Sequence, residues 1–208
     1  EMNNLLVFDV DGTLINSVKS ISRCLREASG KYGYEIGDIS EFIGVLKLSE
    51  ALRRRGVRED DVSKILEAYR ECYLLTFRID TEPVRGARDV LLDLQKYNIL
   101  GILTLKDLRL TEEILRAFFD GVTFKYTVCG DRPIKSKVEG LNIIAEESGF
   151  ERKKIYYIGD RGEDIKSAME AGVNAVWASY GLGKRGEFSG LSDYIEVQNF
   201  SDLYRIFR

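Results

Sequence analysis

There is no histidine anywhere in the 208 residues, so any acid–base chemistry has to come from carboxylates, lysine, tyrosine or cysteine. Cysteine is scarce too: Cys24, Cys72 and Cys129 are odd in number and widely spaced, and no CxxC pair exists. That pattern points to neither a zinc site nor a disulfide framework, which leaves reduced thiols in a cytoplasmic protein as the expectation. No stretch approaches the ~18 apolar residues of a membrane span. The apolar run at residues 5–8 is too short for a signal peptide and lacks a basic flank. A basic stripe is also missing. Arg53-Arg54-Arg55 and Arg152-Lys153-Lys154 are short, the net charge is −3 and the pI about 5.3, so neither nucleic acid nor a membrane is expected as a partner. Glutamine occurs only at Gln95 and Gln198 amid abundant charges, a composition that leans towards a thermophilic source.

What is present is ample for a core. Hydrophobic residues make up 44 %, too many for a disordered chain, and the length suits one domain or a core with a small insert. Leu5–Phe8 reads as a buried parallel strand, short, apolar and uninterrupted. Residues 17–76 then carry helical periodicity, over 17–32, about 40–55 and 59–76, punctuated by Gly33, Gly37 and Gly56. From Pro83 onwards helices alternate with strands. Helices are expected at 86–97, 111–119, 137–148 and 163–171, and strands at Ile99–Leu105, Thr123–Cys129, Ile155–Ile158 and Val173–Ala178. Such alternation predicts an α/β fold, a Rossmann-like parallel sheet flanked by helices. The helical block after the first strand is then an insertion.

In sheets of this kind ligands bind beyond the carboxyl ends of the strands. The polar residues just after each strand are Asp9, Asp11, Gly12 and Thr13; Thr104 and Lys106; Lys135 and Lys137; and Gly159, Asp160 and Asp164. Two carboxylates about 4 Å apart repel by roughly 4 kcal/mol at an effective dielectric near 20, so Asp9, Asp11 and Asp160 together must be protonated or bound to a cation. Oxygen-only ligands suit Mg²⁺, which keeps waters and seeks phosphate. A lysine and a threonine in the same mouth suit phosphoryl oxygens. One carboxylate can then attack phosphorus while the other moves the proton.

These residues resemble the haloacid dehalogenase-like superfamily. Asp9-Val10-Asp11-Gly12-Thr13-Leu14 is similar to its first motif, Thr104 to its second, Lys135 to its third, and Gly159-Asp160-Arg161-Gly162-Glu163-Asp164 with Ala171-Gly172 to its fourth, in order along nearly the whole chain. The resemblance implies Asp9 as nucleophile and Mg²⁺ ligand. It implies Asp11 as general acid/base with its backbone carbonyl on the metal, Asp160 and Asp164 at the metal, and Thr104 and Lys135 on the phosphoryl oxygens. Backbone N–H groups around Gly12 and Leu105 would assist. Inserted helices resemble the subfamily with a helical cap, which includes phosphoglycolate phosphatases, pyrophosphatases and β-phosphoglucomutases. Core residues 1–14 and 82–208 and a cap at 15–81 are therefore expected. Three positions depart from the pattern: Asn16 replaces an acid, Leu105 a frequent Asn, and Ser136 the proline after the lysine, which leaves Lys137 in competition with Lys135. Lys106 is expected to face solvent or the cap.

The expected activity is hydrolysis of a small phosphomonoester, such as phosphoglycolate, through an aspartyl-phosphate, by a monomer or homodimer. A capped mutase or pyrophosphatase is the alternative within the family, and a receiver-like phosphate-binding signalling protein the alternative outside it. Receivers lack the Asp-x-Asp-Gly-Thr run. A calcium loop starting at Asp9 would want glycine at position 14 and glutamate at 20, where Leu14 and Ser20 stand. Asp11 argues against dehalogenation and against phosphonoacetaldehyde hydrolysis, whose enzymes lack an acid there. Lys47, in the segment Phe42-Ile43-Gly44-Val45-Leu46-Lys47, is a candidate for reading an anionic group of the substrate.

Overall fold

The computed structural model describes residues 2–208. Six strands form one parallel sheet in the order β5-β4-β1-β6-β7-β8: β1 Leu5–Phe8, β4 Ile99–Leu103, β5 Phe124–Val128, β6 Ile155–Gly159, β7 Asn174–Ala178 and β8 Tyr194–Val197. β1 lies at the centre because its four residues are apolar on both faces and fully buried. Side chains alternate across a strand. Leu6 and Phe8 therefore join the core under α4 (Ala87–Leu94) and α5 (Leu108–Phe118), while Leu5 and Val7 join that under α6 (Lys137–Ser148) and α7 (Gly162–Glu170). The final helix, α8 (Tyr204–Phe207), closes the first of these layers with Phe207 on Tyr156.

The first five of the sheet strands in chain order stand where the apolar runs place them. β8 was not expected. It is a half-exposed edge strand with Ile195 exposed and Glu196 in its run, and it lacks the uninterrupted apolar run that marks a central parallel strand. The chain leaves β1 through β2 (Ile15–Asn16) and returns through β3 (Glu82–Pro83). These two short strands pair antiparallel, Ile15 with Pro83 and Asn16 with Glu82. Between them lie α1 (Val18–Gly30), α2 (Leu48–Arg54) and α3 (Glu59–Asp80), the inserted helical cap. Tyr69, Tyr73 and Phe77 recur every four residues on α3. They bury one face, with neighbouring rings 5.6–5.7 Å apart.

Two expectations about this insert need correction. The helix expected at about 40–55 is broken: a 3₁₀ turn covers Ser40–Phe42, Gly44 is left-handed at φ +78°, and the α-helix starts only at Leu48. The reason is tertiary, because backbone carbonyls of this stretch are claimed by side chains of the core. The cysteines are not all free either. Cys24 on α1 and Cys72 on α3 form a disulfide, with Cα atoms 5.6 Å apart. Their separation of 48 residues carries no spacing signal, and only the packing of α1 on α3 brings them together.

Candidate active site

Asp9 follows β1 and Asp160 follows β6, its hydrogen-bonded neighbour in the sheet. Asp164 projects from the first turn of α7, where its Oδ2 accepts from the Arg161 N–H (3.0 Å) and caps the helix. The three carboxylates offer oxygens within 4.8 Å of one another, all buried. Lys137, the first residue of α6, reaches into this cluster. Its Nζ donates to Asp9 Oδ2 at 3.2 Å, to Asp164 Oδ1 at 2.5 Å and to the Gly44 carbonyl of the insert at 2.7 Å. Asp160 is fixed from the other side by the Thr13 hydroxyl (3.2 Å) and the Leu182 N–H (2.8 Å).

The electrostatics follow from burial. Removal from water pushes the Asp9 carboxyl up to about 7, with Asp164 and Asp11 adding to the rise and Lys137 opposing it. Burial, then Asp164 and Asp9, push Asp160 well above the usual carboxylate range. Burial works against a charged Lys137 as well, but Asp164 and Asp9 outweigh it and hold the ammonium charged. One lysine facing three carboxylates leaves two negative charges uncompensated when all are ionised. Hard oxygen donors with that charge deficit fit Mg²⁺.

Asp11 points elsewhere. Its Oδ1 accepts from the Ser17 hydroxyl at 2.7 Å and from Lys106 Nζ at 3.0 Å. Lys106, expected to face solvent or the insert, faces the insert. It is buried, and its ammonium lies between Asp11 and the ring of Tyr73 on α3, 4.2 Å from the ring centroid. The carboxylate and the π-face together replace the water it loses.

Two assignments drawn from the resemblance change. Lys135 is exposed, and its N–H donates to Glu139 Oε2 at 2.7 Å; it takes no part in the cluster. Ser136 is the N-cap of α6, its hydroxyl accepting from the Glu139 N–H, so the helix begins at Lys137, as expected, and Lys137 rather than Lys135 turns inward. Gly12 cannot offer its N–H, which is spent on the Ile15 carbonyl at 2.8 Å. Its contribution is steric: φ is +84°, and a Cβ there would lie 2.2 Å from Asp160 Oδ2.

Thr104 directly follows β4 and is almost fully buried, and its Oγ1 accepts from the Lys106 N–H at 3.2 Å. Thr104, Leu105 and Asp11 line the core side of a cavity of about 260 Å³; Lys47, Leu66 and Tyr69 line its other side. Thr104 and Lys47 thus share a chamber with Asp11, while Asp9, Asp160 and Asp164 gather just beside it. Sequence reasoning missed Leu182, Tyr180, whose hydroxyl donates to the Thr13 carbonyl at 2.7 Å, and Arg161 as an anchor. The signal was there for the first two: Ser179-Tyr180-Gly181-Leu182-Gly183 directly follows β7, at the sheet edge where ligands bind.

A charge-deficient carboxylate cluster at the strand ends, roofed by inserted helices, defines the class as a capped enzyme on a Rossmann-like sheet. The chain belongs to the haloacid dehalogenase-like hydrolase family, whose profile matches residues 6–178. It is 27 % identical over 194 residues to a phosphoglycolate phosphatase of Pseudomonas fluorescens (strain Pf0-1), covering 87 % of this chain and 71 % of that one. It is also 27 % identical over 190 residues to the tyrosine-protein kinase PtkA of Mycobacterium bovis, covering 88 % of this chain and 65 % of that one. A haloacid dehalogenase-like hydrolase of Streptococcus pneumoniae shares the fold, with TM-score 0.83, 19 % identity and coverage of 99 % and 98 %.

Proposed function

We propose that this hydrolase is a Mg²⁺-dependent phosphatase that releases phosphate from a small phosphomonoester by way of a phosphorylated Asp9. The observation that carries the reading is the buried cluster of Asp9, Asp160 and Asp164 with Lys137 among them, a group short of positive charge at the sheet edge. The family supplies hydrolysis as the reaction class, and the phosphoglycolate phosphatase among its relatives supplies the phosphoric monoester. Phosphoglycolate is the reference substrate.

In this reading an Asp9 oxygen attacks phosphorus and the bond from phosphorus to the alcohol oxygen breaks. That oxygen takes its proton from Asp11. The Asp11 carboxylate then takes a proton from water, the water oxygen attacks phosphorus, and the bond to Asp9 breaks, which frees phosphate and restores both residues. Lys106 and Ser17 both hold Oδ1 of Asp11, which leaves Oδ2 for the proton. Thr104 and the Leu105 N–H take the phosphoryl oxygens, and Lys137, whose three N–H groups are bonded to Asp9, Asp164 and Gly44, sets its positive charge beside them. Mg²⁺, held by Asp9, Asp160, Asp164 and the Asp11 carbonyl, would neutralise charge between nucleophile and phosphoryl oxygens. The inserted helices, residues 15–81, act as a cap, and Lys47 reads an anionic group on the leaving alcohol.

No helix among the described residues is long and apolar enough to cross a membrane. A cytoplasmic location suits a small phosphorylated substrate. The disulfide is at home there if the source is a hyperthermophile, whose intracellular proteins keep such bonds, in line with the low glutamine content. The test is phosphate release from a panel of phosphomonoesters with Mg²⁺. Chelator and Asp9→Asn should each abolish release; turnover that survives both overturns the proposal.

A further inference from the structure

Arg161 belongs to no catalytic step above, yet it is buried and its guanidinium holds three carbonyls of the insert, where Lys137 holds one. Its Nη1 donates to the carbonyls of Ser40 (3.4 Å) and Ile43 (3.2 Å), and its Nη2 to that of Glu41 (3.2 Å). Nε donates to Glu187 Oε1 at 3.0 Å. The same oxygen accepts from the Gly162 N–H, and Glu187 Oε2 accepts from the Lys184 N–H. Glu187 is thus held by the core backbone and orients the guanidinium, while the other guanidinium nitrogens fill the carbonyl end of the 3₁₀ turn at Ser40–Phe42. The residue that follows this turn and Ile43 is Gly44. Its carbonyl takes Lys137 Nζ, and a Cβ there would lie 3.7 Å from Asp9 Oδ2. Gly44 is therefore where the insert comes down upon Asp9.

We infer that Arg161 is a positioning residue, a latch that holds the segment 40–44 over Asp9. The inference rests on the phosphatase reading only for its kinetic readout. A planar fork anchored by a carboxylate can span several carbonyls at once, whereas a lysine supplies one point charge. Arg161 is adjacent in sequence to Asp160, so the closed loop and the carboxylate cluster share one stretch of backbone.

The test compares Arg161→Ala, Arg161→Lys and Glu187→Gln with the unaltered chain, first by amide exchange. The N–H groups of Ile43, Val45 and Leu46 are bonded within the loop, to Ser40 and Phe42. In Arg161→Ala their exchange should rise about 10-fold or more, with those of β1 and β6 unchanged; Arg161→Lys and Glu187→Gln should fall between. On an active substrate, kcat/KM should drop about 10- to 100-fold in Arg161→Ala, with the Mg²⁺ concentration for half-maximal rate unchanged. Should Arg161→Ala fail to fold, the two milder variants carry the same comparison. Unchanged loop exchange in all folded variants, or a loss of rate explained by weakened Mg²⁺ activation, overturns the latch. The exchange result stands whether or not the chain proves to be a phosphatase.

Discussion

Asp9 and Asp11 lie one residue apart in the loop after β1, and their surroundings are opposite. Asp9 faces Asp160 and Asp164 and shares a single lysine with Asp164, and its carboxyl is pushed up to about 7. Asp11 faces its own lysine, Lys106, and the hydroxyl of Ser17. A two-residue step turns the chain from a region with too little positive charge to one where each charge is paired. The first calls for a cation and the second does not. Two carboxyls of the same kind acquire two roles from environment alone.

The comparison can be broken from either side. The largest effect is expected for Asp9→Asn, which should lower turnover by about 10⁴-fold or more. The same change removes one of three crowded charges, so in chelator it should raise Tm, where loss of an ordinary buried ion-pair partner would lower it. Lys106→Met attacks the other side. It leaves Asp11 buried without its counter-charge, a situation that costs about 3–5 kcal/mol. A thermal or denaturant melt should show that loss, and turnover should fall as Asp11 drifts.

A third prediction uses pH. The Asp9 carboxyl titrates at about 7 in the folded chain against 3.8 for a free one, and Asp160 is raised as well. A raised carboxyl binds its proton more tightly when folded, so its contribution is fully present below the free value and is lost as pH rises through the folded one. With no histidine in the chain to titrate in that window, Tm in chelator should fall between about pH 5 and about pH 8. Mg²⁺ should restore it at the upper end and do little at the lower. A Tm in chelator that rises across this range contradicts the crowding of the cluster.

How much of this was legible beforehand follows the same division. The strand-end motifs were readable because the carboxyl edge of a parallel sheet gathers whatever follows each strand, and Asp9, Thr104, Asp160 and Asp164 are all found there. Lys137 was harder. The start of α6 at residue 137 was read correctly, but the resemblance pointed to the lysine before the Ser136 cap, and it is the one after it that turns inward. Lys106 was placed at the right edge, but its ion pair with Asp11 and its packing on Tyr73 were not readable, because those partners come from distant elements. The insert was read as helical, but the break at Gly44 reflects contacts with Lys137 and Arg161 rather than local preference. Cys24 and Cys72 are likewise joined only by helix packing. The smallest effect predicted here concerns that bond. Cys72→Ser should lower stability by about 2–4 kcal/mol, read as a lower Tm, with little change in turnover at moderate temperature.

The most direct measurement is a burst experiment on Asp11→Asn with an aryl phosphate, whose leaving group needs no proton. The variant should release about one phenolate per chain rapidly and then stall, because water is no longer deprotonated. Reduction of the trapped acyl-phosphate followed by mass spectrometry should place the label on Asp9. A burst with the label on another residue, or steady turnover with no burst and no label, contradicts the account.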